Sequence, residues 1–372
     1  MITVKEVKSR CDLKRFIRFP KQLYRNNPFF VPSLEREDRH SLTQHPARAF
    51  CDIRLWLAYK DGQLAGRIAG IINRRCNELK GQSRIRFGWF DVIDDFEVAQ
   101  VLFKEVEMWG MSQQLTEISG PSRFSNMDKQ GMLVWGFEHD VQPIFTEYNA
   151  PYYVDFVEKM GYVKEVDYLQ YKIKVNKVPE RIQQLSDAIM QRNKVKIKEF
   201  KNKKELTGYF RNFFEALNES YRNIYNFIPL TSPEIEYLIK GNLSLVRKEL
   251  ICVLVDEHDC IVGFSLSIPS LSRAFQKAGG KLFPFGWYSV LRAFRHSKLL
   301  NLVLTGVLPE WRAKGIHALY HDKLNEIYLQ QGFKYAISNP QLEENVATRV
   351  WQKYDSERIF RRRCFCKKLG AM

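Results

Sequence analysis

The stretch that decides the fold is Leu299 to Gln330, which reads LLNLVLTGVLPEWRAKGIHALYHDKLNEIYLQ. It starts with a run of mostly apolar residues, passes through a short basic turn, and continues with apolar residues at helical spacing. This pattern predicts a buried strand that leads into an amphipathic helix. The first N–H groups of such a helix have no partner within it, and Gly315 lets the backbone approach a ligand closely. Because Arg312 and Lys314 add positive charge, we predict that the turn binds an anion such as a pyrophosphate.

The composition predicts globular domains with cores of ordinary size. A chain of 372 residues with 45% hydrophobic residues is long enough for two such domains. The N-terminal residues contain no apolar segment typical of a secretion signal, and no window of about eighteen residues is apolar enough to span a bilayer. The seven cysteines are scattered, which is typical of reduced thiols, and none joins a Cys/His cluster with metal-ligand spacing. We therefore expect a cytoplasmic protein without a metal site.

The net charge of +16 predicts an anionic partner, which is a nucleic acid, a membrane surface or a polyphosphate cofactor. The fifty residues from Cys260 to Pro309 contain no Asp or Glu, but six Lys or Arg residues stand there among bulky aromatic residues. Cations interleaved with aromatic side chains suit the boundary between lipid headgroups and acyl chains. We predict that this segment is a flap that touches an anionic membrane. The alternative is a basic loop on the core whose charges lie in water.

Three parts of the chain recur at an offset of about 195 residues. Ile2 to Leu13 matches Val195 to Leu206, the hairpin that turns at Asp61-Gly62 matches a second hairpin near 251–268, and the segment from Pro151 matches the one from Ala347. The repetition predicts two copies of one unit, at 1–172 and 195–372, joined by a linker at 173–194 in which Pro179 starts a helix. The order of strands and helices in each copy predicts an α+β fold with a mixed, mainly antiparallel sheet.

Only the second copy has a turn that suits an anion. In the first copy the equivalent strand, Ile85 to Val92, and helix, Asp95 to Gln113, are joined by the sequence DVIDD, which is acidic and lacks glycine. An acidic turn repels a pyrophosphate. We therefore predict that the first copy binds no such group.

The turn of the second copy resembles the acyl-CoA loop of the GCN5-related N-acetyltransferase (GNAT) superfamily, whose pattern is Gln/Arg-x-x-Gly-x-Gly/Ala. The first five positions fit, and His317 stands where a small residue is usual. The element order is also that of GNAT domains. The resemblance implies that acyl-CoA or acetyl-CoA is the co-substrate and that one set of residues holds it: Val307, Arg312, Ala313, Lys314, Gly315, Ile316 and His317.

Four longer stretches resemble the bacterial tandem-GNAT family that includes the bacterial ceramide synthases. They are FPKQLYRNNPFFVPSL (19–34), DGQLAGRIAG (61–70), GPSRFSNMDKQGMLVWGF (120–137) and EYNAPYYVDFVEKMGY (147–162). The resemblance implies transfer of a fatty acyl group from acyl-CoA to the amine of a sphingoid base.

The resemblance also implies which groups carry the chemistry. In GNAT reactions a neutral amine attacks the thioester, and a strand-end N–H, here near Val307, polarises the carbonyl. The acid that protonates the leaving thiolate is often a Tyr in a helix that we predict at 343–354. Trp351 stands at the usual position, so Tyr354 is the candidate, with a packing role as the alternative. His317 and His321 share a helix face and are candidates for deprotonating the amine, with solvated histidines as the alternative.

Two polar and aromatic clusters in the first copy are candidates for an acceptor site at the domain junction. Their members are Arg123, Asn126, Tyr148, Asn149, Tyr152 and Tyr153. Tyr152 and Tyr153 equally suit packing between the domains.

These observations favour an acyl-CoA-dependent N-acyltransferase whose acceptor is an amino lipid, with peripheral contact to the inner membrane. A catalytically silent GNAT pair that binds CoA or interacts with another protein is the main alternative, and a peptidoglycan-building enzyme that uses aminoacyl-tRNA is another. We expect no nucleic-acid binding, because the sequence contains no helix-turn-helix, zinc-finger or aromatic RNA-binding signature.

Overall fold

The structure, a computed structural model, describes residues 1–177, 180–345, 351 and 354–370. Its strands form one 14-stranded sheet. The strands of the first half are β1 (Ile2–Glu6), β2 (Cys51–Lys60), β3 (Gln63–Asn73), β4 (Arg84–Val92), β5 (Glu117–Gly120), β6 (Met132–Trp135) and β7 (Val163–Lys174). Those of the second half are β8 (Lys196–Ile197), β9 (Ile251–Val255), β10 (Ile261–Pro269), β11 (Leu299–Val307), β12 (Tyr335–Ser338), β13 (Gln341–Leu342) and β14 (Ser356–Lys368).

Helices cover both faces of the sheet. They are α1 (Arg10–Leu23), α2 (Glu35–Gln44), α3 (Arg74–Lys80), α4 (Phe96–Ser112), α5 (Tyr152–Lys159), α6 (Glu180–Asn193), α7 (Lys203–Tyr221), α8 (Ser232–Asn242), α9 (Ser272–Ala278), α10 (Gly286–His296) and α11 (Ile316–Gln330). Short polar side chains start many of them, as when Asp95 accepts a hydrogen bond from the backbone N–H of Val98. Within the described ranges, each helix is too short or too polar to cross a membrane.

The sheet has the order β1-β2-β3-β4-β5-β14-β7-β12-β11-β10-β9-β8. Its pairs are antiparallel except β4 with β5 and β11 with β12. The predicted α+β class with a mixed, mainly antiparallel sheet is therefore confirmed. The halves also exchange their last strands, because β14 pairs with β5 of the first half and β7 pairs with β12 of the second. The division of the chain at 172 and 195 stays a prediction.

Each half buries its strands between helices. In the first half, α4 and α5 pack on one face and α1 and α2 on the other. The predicted apolar face of α4 is buried, and its members are Ala99, Leu102, Phe103, Val106 and Trp109. In the second half, α11 and α6 pack on one face and α7 and α8 on the other.

Each parallel pair separates after a few residues. β4 pairs with β5 only from Arg84 to Arg86, and β11 pairs with β12 only from Leu299 to Leu302. Beyond those points the C-terminal parts of β4 and β11 leave a gap in the sheet. Strand edges at such a gap have backbone groups that are not used by the sheet, which favours binding there.

Two of the predicted helices extend beyond the described residues. Most of the predicted helix at 343–354 lies outside the described residues, which retain 343–345, Trp351 and Tyr354 there. Pro179, the predicted start of the linker helix, also lies outside them, and the described part of that helix is α6.

Arg362 bonds the exchanged strand to the first half from a fully buried position in β14. Its Nε donates to Gln170 Oε1 of β7 at 3.0 Å, its Nη1 donates to the backbone oxygen of Glu147 at 2.6 Å, and its Nη2 donates to Gln142. Burial lowers its pKa to about 9. The guanidinium therefore fixes the loop 142–147 against the centre of the sheet.

We expect that Arg362→Met lowers the free energy of unfolding by at least about 3 kcal/mol, because it leaves three buried acceptors without a donor. The matched control is Arg358→Met on the same strand, whose side chain is exposed. Urea denaturation of both variants measures the difference. Equal losses in the two variants would contradict a special role of the buried guanidinium.

Candidate functional site

The predicted anion-binding turn lies between β11 and α11. After Val307 the chain forms a short 3-10 helix, Pro309–Lys314, and then Gly315 adopts φ +77° in the left-handed region. A Cβ atom at this glycine would lie 3.1 Å from Ile189 Cδ1 of α6. Glycine is therefore favoured there both by the backbone conformation and by the close helix. The N-terminal end of α11 begins directly after it.

Both cations of the turn are held by neighbouring groups. Arg312 Nη2 donates to the backbone oxygen of Ser220 at 2.7 Å, and Lys314 Nζ lies 3.8 Å from the centroid of the Trp311 ring. Their side chains are exposed, as is that of Ala313. The positive charges are thus fixed beside the start of α11, where the helix dipole also favours an anion. The residues of the predicted loop fit a pyrophosphate group in this respect.

The backbone of Val307 faces the gap beside β11. The N–H of the next residue, Leu308, donates to Val262 of β10 at 3.0 Å. Because successive residues of a strand direct their N–H groups to opposite sides, the N–H of Val307 is directed away from β10. Nearer the middle of the strand, the Thr305 oxygen accepts a hydrogen bond from Tyr221 Oη at 2.9 Å. The strand end therefore directs a donor away from β10, and the role of Val307 in binding the donor substrate stays a prediction.

The candidate acid and bases lie around the first turns of α11. His317 is exposed on the first turn, and the His321 ring lies one turn later, 5.4 Å from Trp351 and 6.2 Å from Tyr354. Trp351 is buried and donates to Gln341 Oε1 at 2.8 Å. Burial raises the pKa of Tyr354 and lowers that of His321 to about 4, to which the charge of His317 adds. The structure thus places Tyr354 near His321, and the catalytic roles of Tyr354 and His317 stay predictions.

A cleft of about 750 Å³, including space open to solvent, lies in the first half. All four stretches that carry the family resemblance contribute to its wall, together with α1 and the end of β4. Its lining residues from those stretches are Pro20, Lys21, Phe30, Val31, Pro32, Ser33, Arg67, Pro121, Lys129, Gly131, Met132, Glu147, Tyr148, Asn149 and Tyr153.

One buried ion pair, one partly buried ion pair and the ammonium group of Lys129 give the cleft its charge. A bulge in β4 around Trp89, which has φ +44°, places Asp91 directly across from Arg67. Arg67 Nε and Nη2 both lie 2.7 Å from Asp91 Oδ2. Lys129 Nζ donates to Ser33 Oγ at 2.8 Å.

The second ion pair of the cleft joins the buried Arg123 to the partly exposed Glu147. Arg123 donates to Glu147, and its Nη1 lies 3.7 Å from Asp38 Oδ1.

The carboxyl groups of the two ion pairs, those of Asp91 and Glu147, have pKa values that are shifted in opposite directions. Burial raises the pKa of Asp91 to about 6, although the charge of Arg67 opposes the shift. Burial also acts to raise the pKa of Glu147, but the charges of Arg123 and Lys129 outweigh it and the pKa is lowered. Burial lowers the pKa of Lys129. Of these two groups, Glu147 is therefore ionised at neutral pH, whereas the pKa of Asp91 lies close to neutral pH.

The six residues predicted to bind the acceptor substrate do not form a single site. Tyr148, Asn149 and Tyr153 line the cleft, and Arg123 holds Glu147. The other two face elsewhere: Tyr152 Oη donates to the Val92 oxygen at 2.8 Å, and Asn126 Nδ2 donates to the Tyr225 oxygen of the second half at 2.7 Å.

Sequence reasoning missed several cleft residues, which are Asp38, Arg67, Asp91, Lys129 and Glu147. A signal existed for two of them, because Arg67 and Asp91 interrupt strands that are otherwise apolar.

The first half offers no equivalent of the basic turn. The N–H of Val92, at the end of β4, donates to Tyr153 Oη at 2.7 Å, so a tyrosine occupies the position that is open at Val307. The side chain of Asp95 caps α4, which places a negative charge at the start of that helix. Both features oppose an anion in the usual GNAT position of this half, in agreement with the acidic DVIDD sequence.

The chain is similar over most of its length to two curated bacterial proteins. It is 29% identical to Protein YghO of Escherichia coli strain K12, over 82% of this chain and 78% of that protein. It is 28% identical to the bacterial ceramide synthase of Caulobacter vibrioides, over 78% of this chain and 76% of that protein. No protein-family model matches the chain.

Solved structures share the whole architecture. A tandem GNAT protein from the clavulanic acid biosynthesis pathway matches with a TM-score of 0.56 and 10% identity, over 100% of this chain and 99% of that one. The chain has a tandem GNAT fold. A GCN5-related N-acetyltransferase from Sphaerobacter thermophilus matches this tandem GNAT protein with a TM-score of 0.53 and 14% identity, over 99% and 96% of the two chains. The fold and the similarity to a bacterial ceramide synthase together support an N-acyltransferase.

The depressed pKa of His321 predicts how stability depends on pH. The unfolded chain takes up a proton at the ordinary histidine pKa, whereas the folded protein resists protonation until pH falls to about 4. His321 therefore contributes stability that is complete above pH ~6.5 and is lost as pH falls towards 4, at up to about 1.4 kcal/mol per pH unit.

We expect His321→Phe to lose less stability than the wild type between pH 7 and pH 5, as measured by urea denaturation at each pH. His258→Phe, a histidine on an exposed turn, is the control. An unchanged pH dependence in His321→Phe would contradict the proposed burial of the neutral ring.

Proposed function

We propose that this tandem GNAT protein transfers a fatty acyl group from acyl-CoA to the primary amine of a lipid, of which a sphingoid base is one example. The observation that carries the proposal is the turn after β11, where the start of α11, two fixed cations and the outward N–H of Val307 lie around a gap in the sheet. Val307, Arg312, Ala313, Lys314, Gly315, Ile316 and His317 are the residues proposed to hold the donor. Bound acyl-CoA supplies a thioester whose carbonyl carbon accepts the amine while the thiol leaves.

The acceptor proposed for the first-half cleft is an amino alcohol headgroup. The ionised Glu147 attracts an ammonium group, and a carboxyl group that titrates near pH 6, as Asp91 does, is suited to accept a proton from it. The buried ammonium of Lys129 and the hydroxyl of Tyr148 are able to bond to hydroxyl oxygens. The name of the Caulobacter relative supports a lipid amine as the acceptor.

The two proposed sites lie in different halves of the sheet. Four strands, β5, β14, β7 and β12, stand between β4 and β11, so their axes are about 24 Å apart at the usual strand spacing. Transfer into the cleft therefore requires the arm of the donor to extend along the sheet from its pyrophosphate, so that the thioester reaches the amine. In this proposal the N–H of Val307 contacts the arm of the donor and not the thioester carbonyl. The two experiments below test the donor turn and the acceptor cleft separately.

The first experiment changes the charge of the turn. Arg312→Glu with Lys314→Glu should weaken binding of acetyl-CoA and of a long-chain acyl-CoA by at least ~10-fold, because charge-assisted contacts to phosphate are each worth roughly 1.5 to 3 kcal/mol. The control is Lys80→Glu with Lys104→Glu, two exposed cations of the first half. Isothermal calorimetry measures the affinities.

Unchanged affinity in the turn variant would remove the turn from the donor site. If the wild type binds acyl-CoA but acylates no lipid amine, the silent CoA-binding pair is the better description.

The second experiment fills the cleft. Ser33→Phe places a ring where a small side chain lines the wall, and we expect the KM for the amine to rise at least ~10-fold while the affinity for acyl-CoA is unchanged. Ser33→Ala, which removes only the hydroxyl bonded to Lys129, is the matched control and should have a smaller effect. Steady-state kinetics with a sphingoid base measures KM. A loss of acyl-CoA affinity in Ser33→Phe would place the donor, not the acceptor, in the cleft.

A further inference from the structure

The turn between α9 and α10 exposes large apolar side chains to solvent. Phe283 and Phe285 are 80% and 81% exposed, and Trp287, Tyr288 and Leu291 are exposed on the adjoining face of α10. A contiguous apolar group of this size on a surface is usually covered by a partner. We call these five residues the aromatic tip.

The aromatic tip stands on an anchored helix. The opposite face of α10 carries Val290, Ala293 and Phe294, which pack in one cluster with Val31 and Leu34 of the first half. Because that face already supplies the helix with its core contacts, the outer face is not needed for folding. Its apolar residues therefore require another explanation.

Six cations surround the aromatic tip. All six side chains are exposed, and across the described ranges none of them lies within ion-pair distance of a carboxylate. They are Arg273, Lys277, Lys281, Arg292, Arg295 and Lys298. No acidic residue occurs between Cys260 and Pro309, so this segment itself carries only positive side-chain charge. Uncompensated cations around protruding aromatic rings match an anionic headgroup layer above an apolar interior.

The segment that carries the aromatic tip also contacts the rim of the first-half cleft. Gln276 Nε2 donates to the backbone oxygens of Pro28 and Phe30 at 2.8 and 2.9 Å, and the Gly280 oxygen accepts the N–H of Glu35 at 3.1 Å. Residues 30–33 and Glu35 line the cleft. If the aromatic tip inserts into a membrane, the rim of the cleft therefore lies close to that membrane.

We propose that the aromatic tip and its six cations dock the protein on an anionic lipid bilayer, so that the cleft takes its amine acceptor from the membrane. The supply of the amine from the membrane rests on the proposed function, whereas binding of the protein to the membrane does not. A nucleic acid would also attract the cations. The bilayer is favoured because rings exposed to four-fifths gain from an apolar interior, into which they can insert whole.

The test is co-sedimentation with vesicles of phosphatidylglycerol and phosphatidylcholine in equal amounts, compared with vesicles of phosphatidylcholine alone. The wild type should bind the anionic vesicles more tightly, and added salt should weaken the binding. Arg292→Gln with Arg295→Gln and Lys298→Gln should lower the affinity by about 100-fold, since each cation near an anionic surface contributes roughly a five-fold factor. Phe283→Ser with Phe285→Ser and Trp287→Ser should lower it by at least about 10-fold.

Matched controls remove the same groups elsewhere. Lys80→Gln with Lys104→Gln and Lys203→Gln removes three exposed cations, and Leu79→Ser with Val163→Ser removes two exposed apolar side chains. Both should leave vesicle binding unchanged. The proposal is wrong if the wild type ignores anionic vesicles, or if the charge variant and its control lose equal affinity. Binding of a single-stranded oligonucleotide is measured for the same variants. The proposal is also wrong if the charge variant and the triple-serine variant lose affinity for the oligonucleotide but keep their affinity for anionic vesicles.

Activity separates docking from the proposed reaction. The tip variants should acylate a detergent-dispersed sphingoid base at the wild-type rate and lose rate only on a base embedded in vesicles. If the variants and the wild type acylate the vesicle-embedded base at equal rates, docking does not supply the acceptor to the cleft. A wild type that binds anionic vesicles but acylates no amine would refute the proposed function and leave docking standing.

Discussion

The pairing of β7 with β14 is the interaction on which the rest of the structure depends. It extends from Ser356 opposite Ile173 to Cys366 opposite Val163, at the centre of the sheet. Because each of these strands belongs to the other half by sheet order, neither half has a complete sheet without the other. Arg362 reinforces the pairing and also holds the loop that carries Glu147, so the centre of the sheet and the charge of the cleft are connected.

The same architecture gives the two halves different chemistry. In both, the central strand separates from its parallel neighbour and opens a gap. In the first half, Tyr153 takes the strand-end N–H and Asp95 caps the following helix. In the second half, Gly315 and two cations stand at the same place and the strand end faces the gap. One half thus has two cations beside the start of a helix, and the other has a charged cleft.

The long connection between β10 and β11 links these halves from outside the sheet. Its α9 and α10 belong to the second half by sequence, yet they pack on residues 28–34 of the first. This contact places the most exposed aromatic side chains of the chain beside the opening of the cleft, which is an arrangement that a lipid substrate would require.

Local sequence determined the elements and the donor turn. The apolar strand, the turn from Arg312 to Gly315 and the helix after it follow from residue periodicity and from the need for glycine at a left-handed position, and both are properties of neighbouring residues. The repeated segments likewise predicted two similar units, and the acidic DVIDD turn predicted that the first one binds no pyrophosphate.

Only the tertiary structure decided the exchange of β7 and β14, because strand pairing is made between residues far apart in the chain and every strand has two edges. It also decided which polar residues form the cleft. The ion pair of Arg67 and Asp91 depends on a bulge in β4, and the partners of Lys129 and Glu147 come from separate loops, so spacing along the sequence carries no trace of these contacts. For the same reason Asn126, which stands near Arg123 in sequence, faces the other half instead of the cleft.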